Sequence, residues 1–177
     1  MSGVAAAPSA EVERRAAVMN VLRAVLDPEV PALSVVDLGI VRDVELDAAG
    51  APTVVVTPTY SGCPAVRVIE DAIVGALVAR GYAGARVRTT YAPAWTTDWI
   101  SAEGREKLRR YGIAPPGPRA ADSDTELVPL RRRTSRTACP FCGSSRTTLR
   151  SEFGSTACKA MLFCDACDQP FEAFKSI

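Results

Sequence analysis

Two Cys-x-x-Cys pairs, Cys139-Pro140-Phe141-Cys142 and Cys164-Asp165-Ala166-Cys167, constrain this chain more than any other feature. Only 21 residues separate them, which lets both pairs close around one tetrahedral ion. Each pair sets two thiolates on one turn, and Gly143 lets the backbone fold beneath a metal. Residues 138–177 are too few to hold a fold by packing, so the ion has to supply stability. A β ribbon is expected, with strands at Thr147–Phe153, Ala160–Phe163 and Phe171–Phe174. The ligands are Cys139, Cys142, Cys164 and Cys167, and the metal is zinc, with iron as the alternative.

The chain contains no histidine. That excludes Ser-His and Cys-His catalytic pairs, two-histidine facial triads and mixed Cys/His zinc sites. The alternative use of the cysteines, a disulfide framework, fits poorly with the start of the chain. Met1–Ala10 has neither a basic n-region nor a long apolar core, and no apolar run reaches membrane-spanning length. A cytoplasmic chain with reduced thiols is expected. Cys158 is left over, beside Lys159, which could depress its pKa. It is either a possible extra ligand that exchanges with one of the four or a spare cysteine packed in the ribbon.

Upstream, the 177 residues leave room for one ordinary domain. The expected division is 1–112, a linker at 113–137 and the ribbon at 138–177. Residues 1–112 carry 12 basic and 13 acidic groups, and 138–177 carry four of each, so neither folded region has the basic excess of a duplex-binding module. Nucleic acid is thus an unfavoured partner. The Arg131–Arg133 run reads as solvated linker rather than as an RNA contact.

Periodicity gives the expected elements. A helix runs from an N-cap at Ser9 to about Leu26, with Val12, Met19, Leu22 and Leu26 on one stripe. Asp27-Pro28 ends it, and Asp27–Pro31 forms an irregular turn. Strands follow, one ending near Leu46 and one at Thr53–Thr59, joined by a turn at Asp47–Gly50. Pro64 opens an amphipathic helix carrying Val66, Ile69, Ile73 and Leu77, with Gly81 beyond its end. A third strand spans Ala85–Tyr91, and a short charged helix Ser101–Tyr111. The order helix–strand–strand–helix–strand–helix describes an α+β fold, a small α/β sandwich with a C-terminal zinc ribbon. Trp95 and Trp99 read as cover for the core.

The loop between the second strand and second helix, Thr57-Pro-Thr-Tyr-Ser-Gly-Cys63-Pro64, places Cys63 at or beside a helix N-cap. Free N–H groups and the helix dipole there favour a thiolate. With no histidine to serve as base, an exposed Cys63 points to metal–sulfur handling more than to acyl transfer.

Three stretches together, Asp27-Pro-Glu-Val-Pro31, Val36-Asp-Leu-Gly-Ile-Val41 and Thr59-Tyr-Ser-Gly-Cys-Pro64, resemble the metal–sulfur cluster assembly factor domain over roughly residues 10–90. Trp95-Thr-Thr-Asp-Trp-Ile100, Gly112–Pro116 and the ribbon narrow the resemblance to the D-type component family of the bacterial phenylacetate-degradation system. That resemblance implies an accessory factor for a multisubunit oxygenase that epoxidises phenylacetyl-CoA. Its oxygenase and reductase components would be partners, and an iron–sulfur cluster a transient cargo. The family's functional cysteine matches Cys63 and the acidic position of its Asp-Leu-Gly motif matches Asp37. Asp37 is then a proton acceptor or auxiliary ligand, or else a turn-capping carboxylate. One loop cysteine cannot hold a cluster by itself, which implies sharing with a client or across a homodimer. The competing readings are a structural subunit without chemistry of its own and, less favoured, a thiol-dependent enzyme.

Overall fold

The computed structural model describes residues 10–117, 134, 135 and 137–176. The chain divides into two compact units between Ala94 and Trp95. The expected Ser9 cap and the Arg131–Arg133 run lie outside the described residues, as does most of the expected linker.

In the first unit, α1 spans Ala10–Leu22. It is four residues shorter than periodicity suggested, and its buried stripe differs. Val18, Leu22 and Val25 face inward, while Val12 and Leu26 are 54% and 51% exposed. The backbone tightens after Leu22, with Ala24 N–H on the Val21 carbonyl and Val25 N–H on that of Leu22. Leu26 then bridges Ser34, an antiparallel pairing that turns its side chain out of the helical stripe.

β1 (Val41–Leu46) and β2 (Pro52–Val56) form an antiparallel hairpin. Asp47 Oδ1 accepts from the N–H groups of Ala49 and Ala51, and Gly50 supplies the left-handed φ of +81° that the turn needs. α2 (Val66–Val78) buries Ile69, Ile73 and Leu77. It closes as the Tyr82 N–H reaches the Leu77 carbonyl around Gly81, at φ +88°. β3 (Arg86–Thr89) returns parallel to β2, so the sheet runs β1-β2-β3 with α2 as the crossover. α1 packs on α2 and β1. Val54 and Val56 on β2 and Val44 on β1 are buried with Ile73 and Leu77.

The second unit starts earlier than the expected ribbon. A 3-10 turn at Thr97–Trp99 leads to α3 (Ala102–Arg110), capped by Ser101 Oγ accepting from Gly104 N–H at 2.9 Å. Ile113–Ala114, which the proline run had suggested was linker, forms β4. With β5 (Thr134–Ser135), β6 (Thr147–Ser151), β7 (Lys159–Cys164) and β8 (Gln169–Phe174) it builds one sheet, ordered β4-β8-β7-β6-β5. β4 pairs parallel to β8 through Ile113–Glu172 and Ala114–Ala173. Arg105 ties this region together, donating to the carbonyls of Pro116 and Thr97. Trp95 is buried, as expected of a packing residue, but its neighbour is Phe174 of β8, with ring centroids 6.1 Å apart. Residues 95–114 thus join the second unit through strand pairing and aromatic packing that periodicity cannot reveal. The α+β class and the ribbon strands are present as expected.

Candidate functional site

Chemistry-bearing residues gather in two places, one in each unit. In the first, β2 ends at Val56 and the chain runs through Thr57–Cys63 into α2. The Cys63 N–H donates to the Tyr60 carbonyl, and its own carbonyl accepts from Val66. The cap of α2 is Ala65, which offers no side-chain cap, so Cys63 precedes the cap by two residues. The thiol is half-buried.

Its protonation differs from the expectation. Burial is the largest influence and pushes the thiol up. The Ala65 N–H and the Thr59 side chain, both hydrogen-bonded to the sulfur, pull it down. The carboxylates of Glu29 and Asp27 push it up again, and the net shift is upward. The N-terminal helix field therefore does not win. Asp27 Oδ1 accepts from Glu29 N–H at 2.9 Å and Val30 N–H at 2.7 Å, which folds the Asp27–Pro31 stretch into a fixed acidic turn. Sequence reasoning gave neither carboxylate a role. The signal was present in the Asp-Pro-Glu stretch, but its proximity to Cys63 is tertiary. Thr57 Oγ1, where the loop leaves β2, is buried and lacks a hydrogen-bond partner among the described residues.

Asp37 is buried at 4% exposure. Its Oδ2 accepts from Ser34 Oγ at 2.7 Å and Ser34 N–H at 3.0 Å, while its own N–H donates to Ser34 Oγ. This reciprocal turn supports the capping reading of Asp37.

A raised thiol pKa makes a direct prediction. In folded protein the Cys63 peptide is alkylated by iodoacetamide with a pH midpoint above that of the same peptide in urea. Asp27→Asn and Glu29→Gln each move that midpoint down, since each removes a like charge. An unshifted or lower midpoint in the wild type contradicts the assignment. For the same reason, the contribution of this thiol to stability is present below its unfolded pKa and is lost as pH rises through the folded value.

In the second unit, the sulfurs of Cys139, Cys142, Cys164 and Cys167 all lie within 4.8 Å of one another. Cys139 Sγ is 3.8 Å from Cys167 Sγ, and Cys142 Sγ is 3.6 Å from Cys164 Sγ. Four sulfurs at the usual zinc–sulfur length on a tetrahedron stand about 3.8 Å apart. None is in a disulfide. Each knuckle is turned by a bond of its own, Gly143 N–H, at φ +74°, to the Cys139 carbonyl and Asp168 N–H, at φ +55°, to the Cys164 carbonyl, while the β6–β7 pairing of Thr147 with Cys164 and the Asp165 N–H bond to the Arg146 carbonyl bring the two together. Burial raises the Cys164 thiol, but hydrogen bonds from the Ala166 and Cys167 N–H groups and from its sulfur neighbours outweigh it, and the net shift is downward. Cys167 goes up, through burial and then its three sulfur neighbours. An all-sulfur, oxygen-free donor set at this spacing fits a tetrahedral soft-ligand metal.

Cys158 lies apart from this quartet. It is buried at 4% exposure, in contact with Thr156 Oγ1 at 3.1 Å. It precedes β7, while Cys164 ends it, and six extended residues span about 20 Å. A fifth ligand from Cys158 is therefore excluded by strand geometry. Lys159, expected to act on Cys158, instead pairs with Glu172 Oε2 at 2.9 Å.

Both regions of the chain match known proteins. Residues 15–88 match the family described as iron–sulfur cluster assembly protein, and residues 123–175 that described as PaaD zinc beta ribbon domain. A protein of Escherichia coli (strain K12), provisionally named as the D component of 1,2-phenylacetyl-CoA epoxidase, is 47% identical over 151 residues. The match covers 85% of this chain and 86% of that protein. An Fe-S protein maturation auxiliary factor of Porphyromonas gingivalis (strain ATCC BAA-308 / W83) is 36% identical over 92 residues, 51% of this chain and 87% of its own length. Among solved structures, a domain of unknown function, DUF59, from Bacillus anthracis superposes with a TM-score of 0.52 at 25% identity, covering 55% of this chain and 92% of that one. With an assembly-type first domain, a four-cysteine ribbon and this degree of identity, the chain belongs to the PaaD family, the D-type components of 1,2-phenylacetyl-CoA epoxidase.

Proposed function

We propose that this chain is an accessory maturation subunit in aerobic phenylacetate catabolism. It assists assembly or insertion of an iron–sulfur or iron centre in the oxygenase that epoxidises the ring of phenylacetyl-CoA. Its partners are the oxygenase and reductase components, met in the cytoplasm. No helix among the described residues is long and apolar enough to cross a membrane. The ribbon metal is zinc in a structural role, held by Cys139, Cys142, Cys164 and Cys167.

The observation that carries this reading is the half-buried Cys63 in the β2–α2 loop, whose thiol pKa is raised by burial and by the charges of Glu29 and Asp27. A thiol kept protonated at neutral pH is a poor free nucleophile, which weighs against a thiol enzyme. A single thiol suits a cluster passed on as cargo, because binding through so few ligands is reversible. Completing such a cluster takes ligands from the client or from a second copy of the chain.

Anaerobic reconstitution with iron and sulfide tests this. Visible absorbance and acid-labile sulfide are expected in the wild type and lost in Cys63→Ser, while the ribbon metal stays. Reductase produced beside the Cys63→Ser chain is expected to carry less cluster. Unchanged cluster content in the reductase, with full oxygenase activity, would leave a structural role as the better reading.

A further inference from the structure

The four ribbon ligands are not equally sheltered. Cys139 and Cys164 are buried and Cys167 is half-buried, but Cys142 is exposed. Cys142 borders a surface concavity of about 320 Å³ lined also by Arg109, Pro115, Pro140, Phe141 and the buried Cys139. The Phe141 ring lies near Gly112, where an added Cβ would be 3.2 Å from it, and is 57% exposed at the rim of the opening. Cys142 Sγ also stands 3.6 Å from Cys164 Sγ, on the opposite knuckle. An accessible thiolate with a second sulfur already in reach is the arrangement that oxidises to a disulfide.

We propose that hydrogen peroxide reaches the metal site through the Phe141 concavity, oxidises Cys142, and joins Cys142 to Cys164 with release of the ion. This rests on zinc being the ribbon metal. The Cys142 thiolate attacks one peroxide oxygen: an S–O bond forms, the O–O bond breaks, and the departing hydroxide takes a proton to become water. The Cys164 thiolate then attacks the Cys142 sulfenic acid. The S–S bond forms, the S–O bond breaks, and the second hydroxide leaves as water after protonation. Two thiolates are oxidised by two electrons, one peroxide is reduced to two waters, and an ion left with two of its four ligands departs.

The test uses the full chain loaded with zinc, its content measured before oxidation. A chain that takes up no zinc overturns both the metal reading and this proposal. Loaded chain is treated with hydrogen peroxide while a chromophoric chelator follows zinc release and peptide mass spectrometry maps disulfides. One zinc released per Cys142–Cys164 disulfide is expected, reversed by dithiothreitol with zinc present. Retention of zinc under peroxide overturns this proposal and leaves the metal reading intact. So does release with Cys139–Cys142 or Cys164–Cys167 as the major disulfide. Phe141→Ala keeps all four ligands and widens the approach. Severalfold faster release is expected from it, and an unchanged or slower rate argues against entry by that route.

Discussion

Cys164→Ser abolishes metal binding and melts the sheet of the second unit. Cys164 is fully buried, and with Cys139 it belongs to the small core made by Ala114, Ala160, Leu162, Phe171 and Ala173. That core has few large side chains, too few to offset the chain entropy of a small β-sheet. Structural zinc sites in small domains contribute on the order of 10 kcal/mol or more of apparent folding free energy. Serine is a far weaker ligand at neutral pH and leaves a hydroxyl in a dry site. Metal analysis of the purified variant should find less than one equivalent, and near-ultraviolet circular dichroism should lose the ribbon signal. Chelation of the wild type should give the same spectrum. Cys158→Ser is the control, since it lies outside the quartet and should keep its metal. A Cys164→Ser chain that holds one equivalent with a native spectrum contradicts the assignment.

The second large effect is expected at Glu172. Lys159 is buried at 2% exposure, and its ammonium is 2.9 Å from Glu172 Oε2. The other oxygen of Glu172 accepts from the Ser155 N–H, and Ser155 Oγ adds a third bond at 3.2 Å. Gly154 has no side chain because a Cβ there would lie 2.6 Å from Glu172 Oε1 and 3.1 Å from Lys159 Cβ. Glu172→Ala strands the buried ammonium, at a cost of about 3–5 kcal/mol. The double variant Lys159→Met, Glu172→Leu should recover most of that loss, because an apolar pair of similar volume leaves no stranded charge. Denaturant unfolding at fixed zinc concentration measures both. If the single variant loses less than the double, the pair is not the cause.

This carboxylate also sets an acid limit. Burial favours its neutral form, but the Ser155 and Lys159 bonds outweigh burial and hold its pKa below the usual carboxylate range. Its contribution is therefore present above the unfolded carboxylate pKa and is lost as pH falls through the folded value. Glu172→Gln removes that share of the acid dependence.

The features legible in the chain alone are those that depend on short spacing. Two thiolates three residues apart lie on one turn whatever surrounds them, so the metal quartet was legible, and the structure closes it. The amphipathic spacing of Ile69, Ile73 and Leu77 likewise fixed α2, and the turn chemistry of Asp47 and Gly50 fixed the first hairpin. Where a second partner decides, the sequence fell short. Val12 and Leu26 fit a helical stripe, yet α1 stops at Leu22 because Leu26 is taken by its bridge to Ser34. Ile113–Ala114 looked like linker until β8 paired with it. Cys158 was open between an extra ligand and a packed cysteine until extended geometry carried it away from the quartet. The Cys63 thiol was read from its own helix as a stabilised thiolate. The tertiary fold decided otherwise, by burying the sulfur and setting against it two carboxylates from 36 and 34 residues upstream. Helix-end fields act over one turn, whereas burial and through-space charge depend on which distant segments the fold brings together.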